Sequence, residues 1–125
     1  MKKSVKEYMT PLPQTIGVAG NLYLAKMTMD EHACHHLPVL DGGKLVGMLS
    51  YLDLSLMILT SKGKDGRVRD VMTVEPFIVD PETPVQDVTK QMIQQKISSA
   101  IVSAKGQAPW GIFTSTDALR IVSEM

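Results

Sequence analysis

Apolar positions along this chain fall into short runs and helical periods, and the same series occurs twice. The first series predicts a helical turn ending near Met9, a strand over residues 15–18 and a helix over residues 22–32. Two strands follow, 37–40 and 45–49, joined by Asp41-Gly42-Gly43-Lys44, whose glycines supply the positive φ angles of a tight hairpin. A helix over residues 51–60 closes the series. The second predicts a turn ending near Met72, a strand over 77–79 and a helix over 85–95. Strands over 100–103 and 110–113 come next, then a helix over 115–123. Val85, Val88, Met92 and Ile93 recur at helical spacing and mark a buried face. Thr83 is the predicted N-cap of that helix, with Pro84 at its first position.

Residue identities repeat with the pattern. Val5-Lys6-Glu7-Tyr8-Met9-Thr10 matches Val68-Arg69-Asp70-Val71-Met72-Thr73, an offset of 63. Pro13 and Pro76, Ile16 and Val79, Met29 and Met92, and Val39 and Val102 share that offset. One inserted residue then shifts it to 64, aligning Gly47 with Gly111, Ser50 with Thr114 and Asp53 with Asp117. The expected division is repeat 1 over residues 1–61, a polar, glycine-bearing linker over 62–67, and repeat 2 over 68–125. Each copy is too small to bury much surface alone, so the halves are expected to complete one core.

Composition narrows the classes. The chain has 125 residues, 44% of them hydrophobic and 21% charged, enough apolar content for a core and too little charge for disorder. Thirteen basic residues balance thirteen acidic ones, which argues against a nucleic-acid coat but leaves small anionic ligands open. The single cysteine, Cys34, excludes an intramolecular disulfide. The basic N-terminus is followed by no apolar run, so no secretory signal is expected. The apolar stretch 45–59 is interrupted by Asp53 and is too short for a membrane span. A soluble, cytoplasmic protein is the expectation.

The candidate chemistry lies in Gly47-Met48-Leu49-Ser50-Tyr51-Leu52-Asp53 and its partner Gly111-Ile112-Phe113-Thr114-Ser115-Thr116-Asp117. Each falls where a strand ends and a helix begins. Free backbone N–H groups and the positive dipole end there favour an anion such as phosphate. The hydroxyl of Ser50 or Thr114 can donate to a phosphate or sugar oxygen, and the carboxylate of Asp53 or Asp117 can accept both hydroxyls of a ribose. The same spacing is also a capping box, which needs no ligand.

Taken together, these motifs resemble a tandem pair of cystathionine β-synthase (CBS) domains, a Bateman module. The residues carrying the resemblance are Val5, Met9, Thr10, His35 to Val39, Gly47, Ser50, Asp53, Val68, Met72, Thr73, Val85, Val88, Val102, Gly111, Thr114 and Asp117. It implies an α+β fold of two pseudo-twofold βαββα repeats packed sheet to sheet. It also implies two clefts for adenosine-containing ligands (AMP, ADP, ATP or S-adenosylmethionine), bound to regulate a partner rather than as a required cofactor. By the same resemblance, the cleft of Thr114 and Asp117 borrows Thr10, Thr15, Ile16, His35, His36, Leu37 and Pro38. The cleft of Ser50 and Asp53 borrows Thr73, Phe77, Ile78, Ser98, Ser99 and Ala100. Because His35 and His36 stand where copy two has Ser98 and Ser99, the Asp117 cleft is expected to be the better phosphate site. Arg120, one turn beyond Asp117, pairs with it or reaches a phosphate.

Other features weigh less. His32 and His36 have metal-ligand spacing if the helix continues, but a strand starting at Leu37 would scatter them. Cys34 aligns with Ile97 and reads as a small core residue, and Trp110 aligns with Val46 and reads as packing. Lys62, Lys64, Arg67 and Arg69 form a basic run that is solvated or meets phosphate. No nucleophile, base and orienting group assemble into a catalytic set. The expected function is a non-catalytic adenine-nucleotide sensor, homodimeric through the last helix of each half and acting on an unidentified protein in trans, or as part of a longer chain. The alternative is a structural dimerisation module whose Ser/Thr and Asp pairs are caps alone.

Overall fold

The computed structural model describes residues 3–11, 14–60, 65–105 and 108–125. After a 3-10 turn at Val5–Glu7 come β1 (Thr10–Pro11), β2 (Ile16–Gly17), α1 (Leu22–Glu31), β3 (His36–Asp41), β4 (Lys44–Ser50) and α2 (Tyr51–Ile58). The order then repeats with α3 (Val68–Val71), β5 (Thr73–Val74), β6 (Ile78–Val79), α4 (Val85–Gln95), β7 (Ser99–Val102), β8 (Gly111–Thr114) and α5 (Ser115–Ser123). Of the expected linker, residues 62–64 lie outside the described residues, and so do Lys62 and Lys64 of the basic run.

Two compact units result, one of Gln14–Pro76, the other of Met1–Pro13 with Phe77–Met125. Each described sheet has four strands, in the order β2-β3-β4-β5 in the first unit and β1-β8-β7-β6 in the second. The units do not coincide with the sequence repeats, because each repeat's leading segment packs in the unit built by the other repeat's body. In the first unit Val68 N–H donates to the Gly20 carbonyl and Arg69 N–H to that of Val18, both at 3.0 Å. In the second, Val5 N–H donates to the Thr83 carbonyl at 2.8 Å and Lys6 N–H to that of Pro81 at 3.2 Å. These are the same bonds one repeat apart. Val68 is buried with Leu22, Met29, Leu37, Leu49 and Leu54, and Val5 with Val88, Val102 and Phe113.

The β3-β4 hairpin turns through Gly42 and Gly43, with φ of 58° and 83°. This is the left-handed region that a tight hairpin needs and that glycine enters without strain. The start of α4 differs from expectation. Its N-cap is Pro84, not Thr83, and no side chain caps it. Ser4 bridges to Pro84, and the Val85 N–H donates to the Lys3 carbonyl at 2.9 Å. The backbone of the N-terminal segment satisfies the helix end, so a hydroxyl cap is not needed. The strands β1 and β5 were not expected either; each lies antiparallel on the strand that carries the repeated glycine, β8 or β4.

Candidate functional site

In the first unit β4 runs into α2 at Ser50. Ser50 is the N-cap, and its hydroxyl accepts the Asp53 N–H at 3.1 Å. The Asp53 side chain is exposed, and its carboxylate meets no hydrogen-bond or ion-pair partner among the described residues. The β3-β4 register sets His36 opposite Ser50, Leu37 opposite Leu49 and Pro38 opposite Met48. The Tyr51 N–H donates to the His35 carbonyl at 2.8 Å, and the two rings lie 5.7 Å apart. Lys26 Nζ sits 5.6 Å from the Tyr51 ring centre and 3.0 Å from Asp30 Oδ2.

Burial pushes the His36 imidazole below the ordinary histidine range. Repulsion from His35 adds to this, and the nearby Asp53 charge opposes it. The hydrogen bond to Asp30, with help from Tyr51, holds the Lys26 ammonium above its usual value. Ile16 pairs with Val39, and Thr73 pairs with Met48 on the far side of β4.

The second unit has the same strand-to-helix junction, β8 into α5, but its carboxylate is engaged. Asp117 is 3% exposed. Its Oδ2 accepts the Thr114 N–H at 2.9 Å and the Thr114 hydroxyl at 3.3 Å. Its Oδ1 accepts Arg120 Nη1 at 3.1 Å and the Thr10 hydroxyl at 3.4 Å. Ser99 lies opposite Thr114 in register, and the Ser115 N–H donates to the Ser98 carbonyl at 3.0 Å, as Tyr51 does to His35. Ala100 is buried opposite Phe113, Ile78 pairs with Ile101, and Phe77 packs on this unit's core.

Thr10, Arg120, Thr114 and Asp117 therefore come together as the sequence suggested, and Thr73 shares a unit with Ser50 and Asp53. Thr15, Ile16 and His35 to Pro38 lie in the unit of Ser50; Phe77, Ile78 and Ser98 to Ala100 lie in the unit of Thr114. Sequence reading missed Tyr51 and Lys26. Their contact with His35 arises because α1 packs on α2, which no local spacing reveals. It also missed that the two copies divide the capping box. The Ser50 hydroxyl caps α2, whereas in α5 the Asp117 carboxylate answers back to Thr114. The glycine opening each motif has a packing cause. A Cβ on Gly47 would lie 2.7 Å from Met72 Sδ, and one on Gly111 would collide with Met9 Sδ and the Thr10 carbonyl.

The helix α1 ends at Glu31 and β3 begins at His36, so His32 and His36 do not share a helical face. Among the described residues no group of three or more histidine, cysteine or acidic side chains could hold a metal. Cys34 packs against the core of its unit, and burial pushes its thiol up. No helix among the described residues is long and apolar enough to cross a membrane.

Two βαββα motifs, each ending in a Ser or Thr at a helix start with Asp three residues on, define a duplicated α+β ligand-module fold. The chain belongs to the CBS domain family, whose model matches residues 5–59 and 68–124. It is 32% identical over 96 residues to the CBS domain-containing protein YhcV of Bacillus subtilis, covering 75% of this chain and 68% of that protein. It is 30% identical over 103 residues to an inosine-5′-monophosphate dehydrogenase of Korarchaeum cryptofilum, covering 82% of this chain but only 21% of the dehydrogenase. Among solved structures, the CBS domain pair of protein MJ0100 in complex with 5′-methylthioadenosine and S-adenosyl-L-methionine matches with a TM-score of 0.89 at 26% identity. That match covers 99% of this chain and 98% of the other.

Proposed function

We propose that this chain is a non-catalytic regulatory module that binds adenosine-containing ligands, AMP, ADP, ATP or S-adenosylmethionine, and signals to a partner protein. The observation carrying this reading is the repeated strand-to-helix junction, with Ser50 and Asp53 in one unit and Thr114 and Asp117 in the other. The likeness to a CBS pair that holds adenosine compounds supports it. In this reading Asp53 and Asp117 take ribose hydroxyls, and Ser50 and Thr114 take ribose or phosphate oxygens. Thr10, Thr15, Ile16, His35, His36, Leu37, Pro38, Thr73, Phe77, Ile78, Ser98, Ser99 and Ala100 line the sites. Regulation requires that the ligand favour one arrangement of the protein over another.

The four acceptor bonds within the chain at Asp117 favour a second reading, a structural dimerisation module with capped, vestigial sites. Both readings cover the exposed stripe Leu52, Leu56 and Leu59, and the exposed Leu119 and Val122, with a second copy of the chain. Light scattering would then give twice the chain mass. A thermal-shift series with AMP, ADP, ATP, S-adenosylmethionine and NAD separates the two. A ligand at about 100 times its dissociation constant stabilises the fold by roughly 2.7 kcal/mol, a shift of several degrees for a protein of this size. A shift lost in Asp53→Ala or Asp117→Ala supports the sensor; no shift with any of them leaves the structural module.

A further inference from the structure

We infer that Arg120 is a latch that keeps Asp117 from taking a ribose, so the Asp53 site fills first and the Asp117 site opens only when Arg120 lets go. The inference rests on the sensor reading and adds the order of filling and the residue that sets it. A carboxylate offers about four lone-pair positions. At Asp117 all four are taken, by the Thr114 N–H, the Thr114 hydroxyl, Arg120 and the Thr10 hydroxyl. A ribose diol brings two more donors and finds no free acceptor. At Asp53 no donor among the described residues occupies the carboxylate.

The cause is written in the repeat. At the offset of 64 that aligns Asp53 with Asp117, Arg120 aligns with Leu56, which cannot donate. The neighbour Thr10 aligns with Thr73, so the hydroxyl is common to both copies and the guanidinium is the difference. The Arg120 side chain is 57% exposed while the Asp117 side chain is 3% exposed, so the arginine is the member free to leave. Sequence ranks the Asp117 cleft first on phosphate chemistry; the acceptor count ranks Asp53 first on ribose chemistry.

The probe is adenosine, which carries no phosphate to attract Arg120, with 2′-deoxyadenosine as the control lacking the diol. Equilibrium dialysis would give affinity and stoichiometry for the wild type, Arg120→Leu, Leu56→Arg and Asp53→Ala. The wild type should bind one adenosine tightly, and Asp53→Ala should lose it. Arg120→Leu should tighten a second, Asp117-dependent site at least fivefold, and Leu56→Arg should weaken the first by a similar factor. 2′-Deoxyadenosine should bind each open site at least tenfold more weakly. Both exchanged side chains are exposed, so the variants should melt as cooperatively as the wild type. Two equal adenosine sites in the wild type, or a folded Arg120→Leu with an unchanged or weaker second site, would overturn the latch and leave the sensor reading intact. Adenosine binding to none of the four proteins would overturn both.

Discussion

The two aspartates of the repeated motif have the same sequence context and opposite circumstances. Asp117 is buried and accepts a charged and three neutral donors; Asp53 is exposed and accepts none among the described residues. Truncating Asp117 strands the Thr114 N–H and removes a charge-assisted bond. Asp117→Ala should therefore cost about 2–3 kcal/mol without ligand. Asp53→Ala should cost several-fold less, and urea unfolding of the two variants would show the gap. His36 supplies a pH dependence. Its folded-state pKa lies below the unfolded value of 6.5 because burial disfavours the imidazolium. The unfolded chain then binds the proton first, so this stability is full above about 6.5 and falls as pH drops toward the folded-state value. Melting temperatures of His36→Gln measured from pH 7.5 to 5 should decline less steeply than those of the wild type. The motif residues were legible in the sequence because type and spacing sufficed to place them. The engagement of Asp117 was legible only in part: the Arg120 pairing follows from helical spacing, but the Thr10 bond depends on a strand pairing that spans almost the whole chain.

Elements read well where the signal was local. The glycine hairpin and the amphipathic helix α4 appear where turn chemistry and periodicity put them, because each is decided within a few residues. The strands β1 and β5 have two residues each and exist only through distant partners, so no local pattern announces them. The same pairing explains the motif glycines, which sequence reading treated as part of a ligand loop. Gly111 sits under Met9 and the Thr10 backbone, and Gly47 under Met72 and Thr73. Alanine at either position must push a strand away. Gly111→Ala meets a carbonyl that cannot swing aside and should cost about 3 kcal/mol. Gly47→Ala, where a flexible methionine makes the closest contact, should cost less. Chemical denaturation of both would rank them, and the reverse order would mean that β1 yields more easily than the Met72 side chain.

At the scale of the whole molecule, the sequence repeat is not the packing unit. The bonds from Val68 and Arg69 to the loop after β2, and from Val5 and Lys6 to the loop before α4, hand each repeat's first turn to the other repeat's body. Burial follows the same exchange, since Val68 and Val5 each fill a core made otherwise by the other copy. Periodicity could not show this, because an exchanged segment and an unexchanged one have identical patterns. The exchange predicts how the chain tolerates cutting. A fragment of residues 14–76 retains β2 to β5 and a complete core, and should unfold cooperatively, though marginally for its size. A fragment of residues 1–61, cut at the sequence boundary, lacks Val68, Met72 and β5, and leaves Val5 with no core to enter. It should show little cooperative unfolding by circular dichroism. If the 1–61 fragment melted sharply and the 14–76 fragment did not, the exchanged segment would be an attachment to the unit rather than part of its core, and the engaged state of Asp117, which borrows Thr10 by the same exchange, would lose its structural basis.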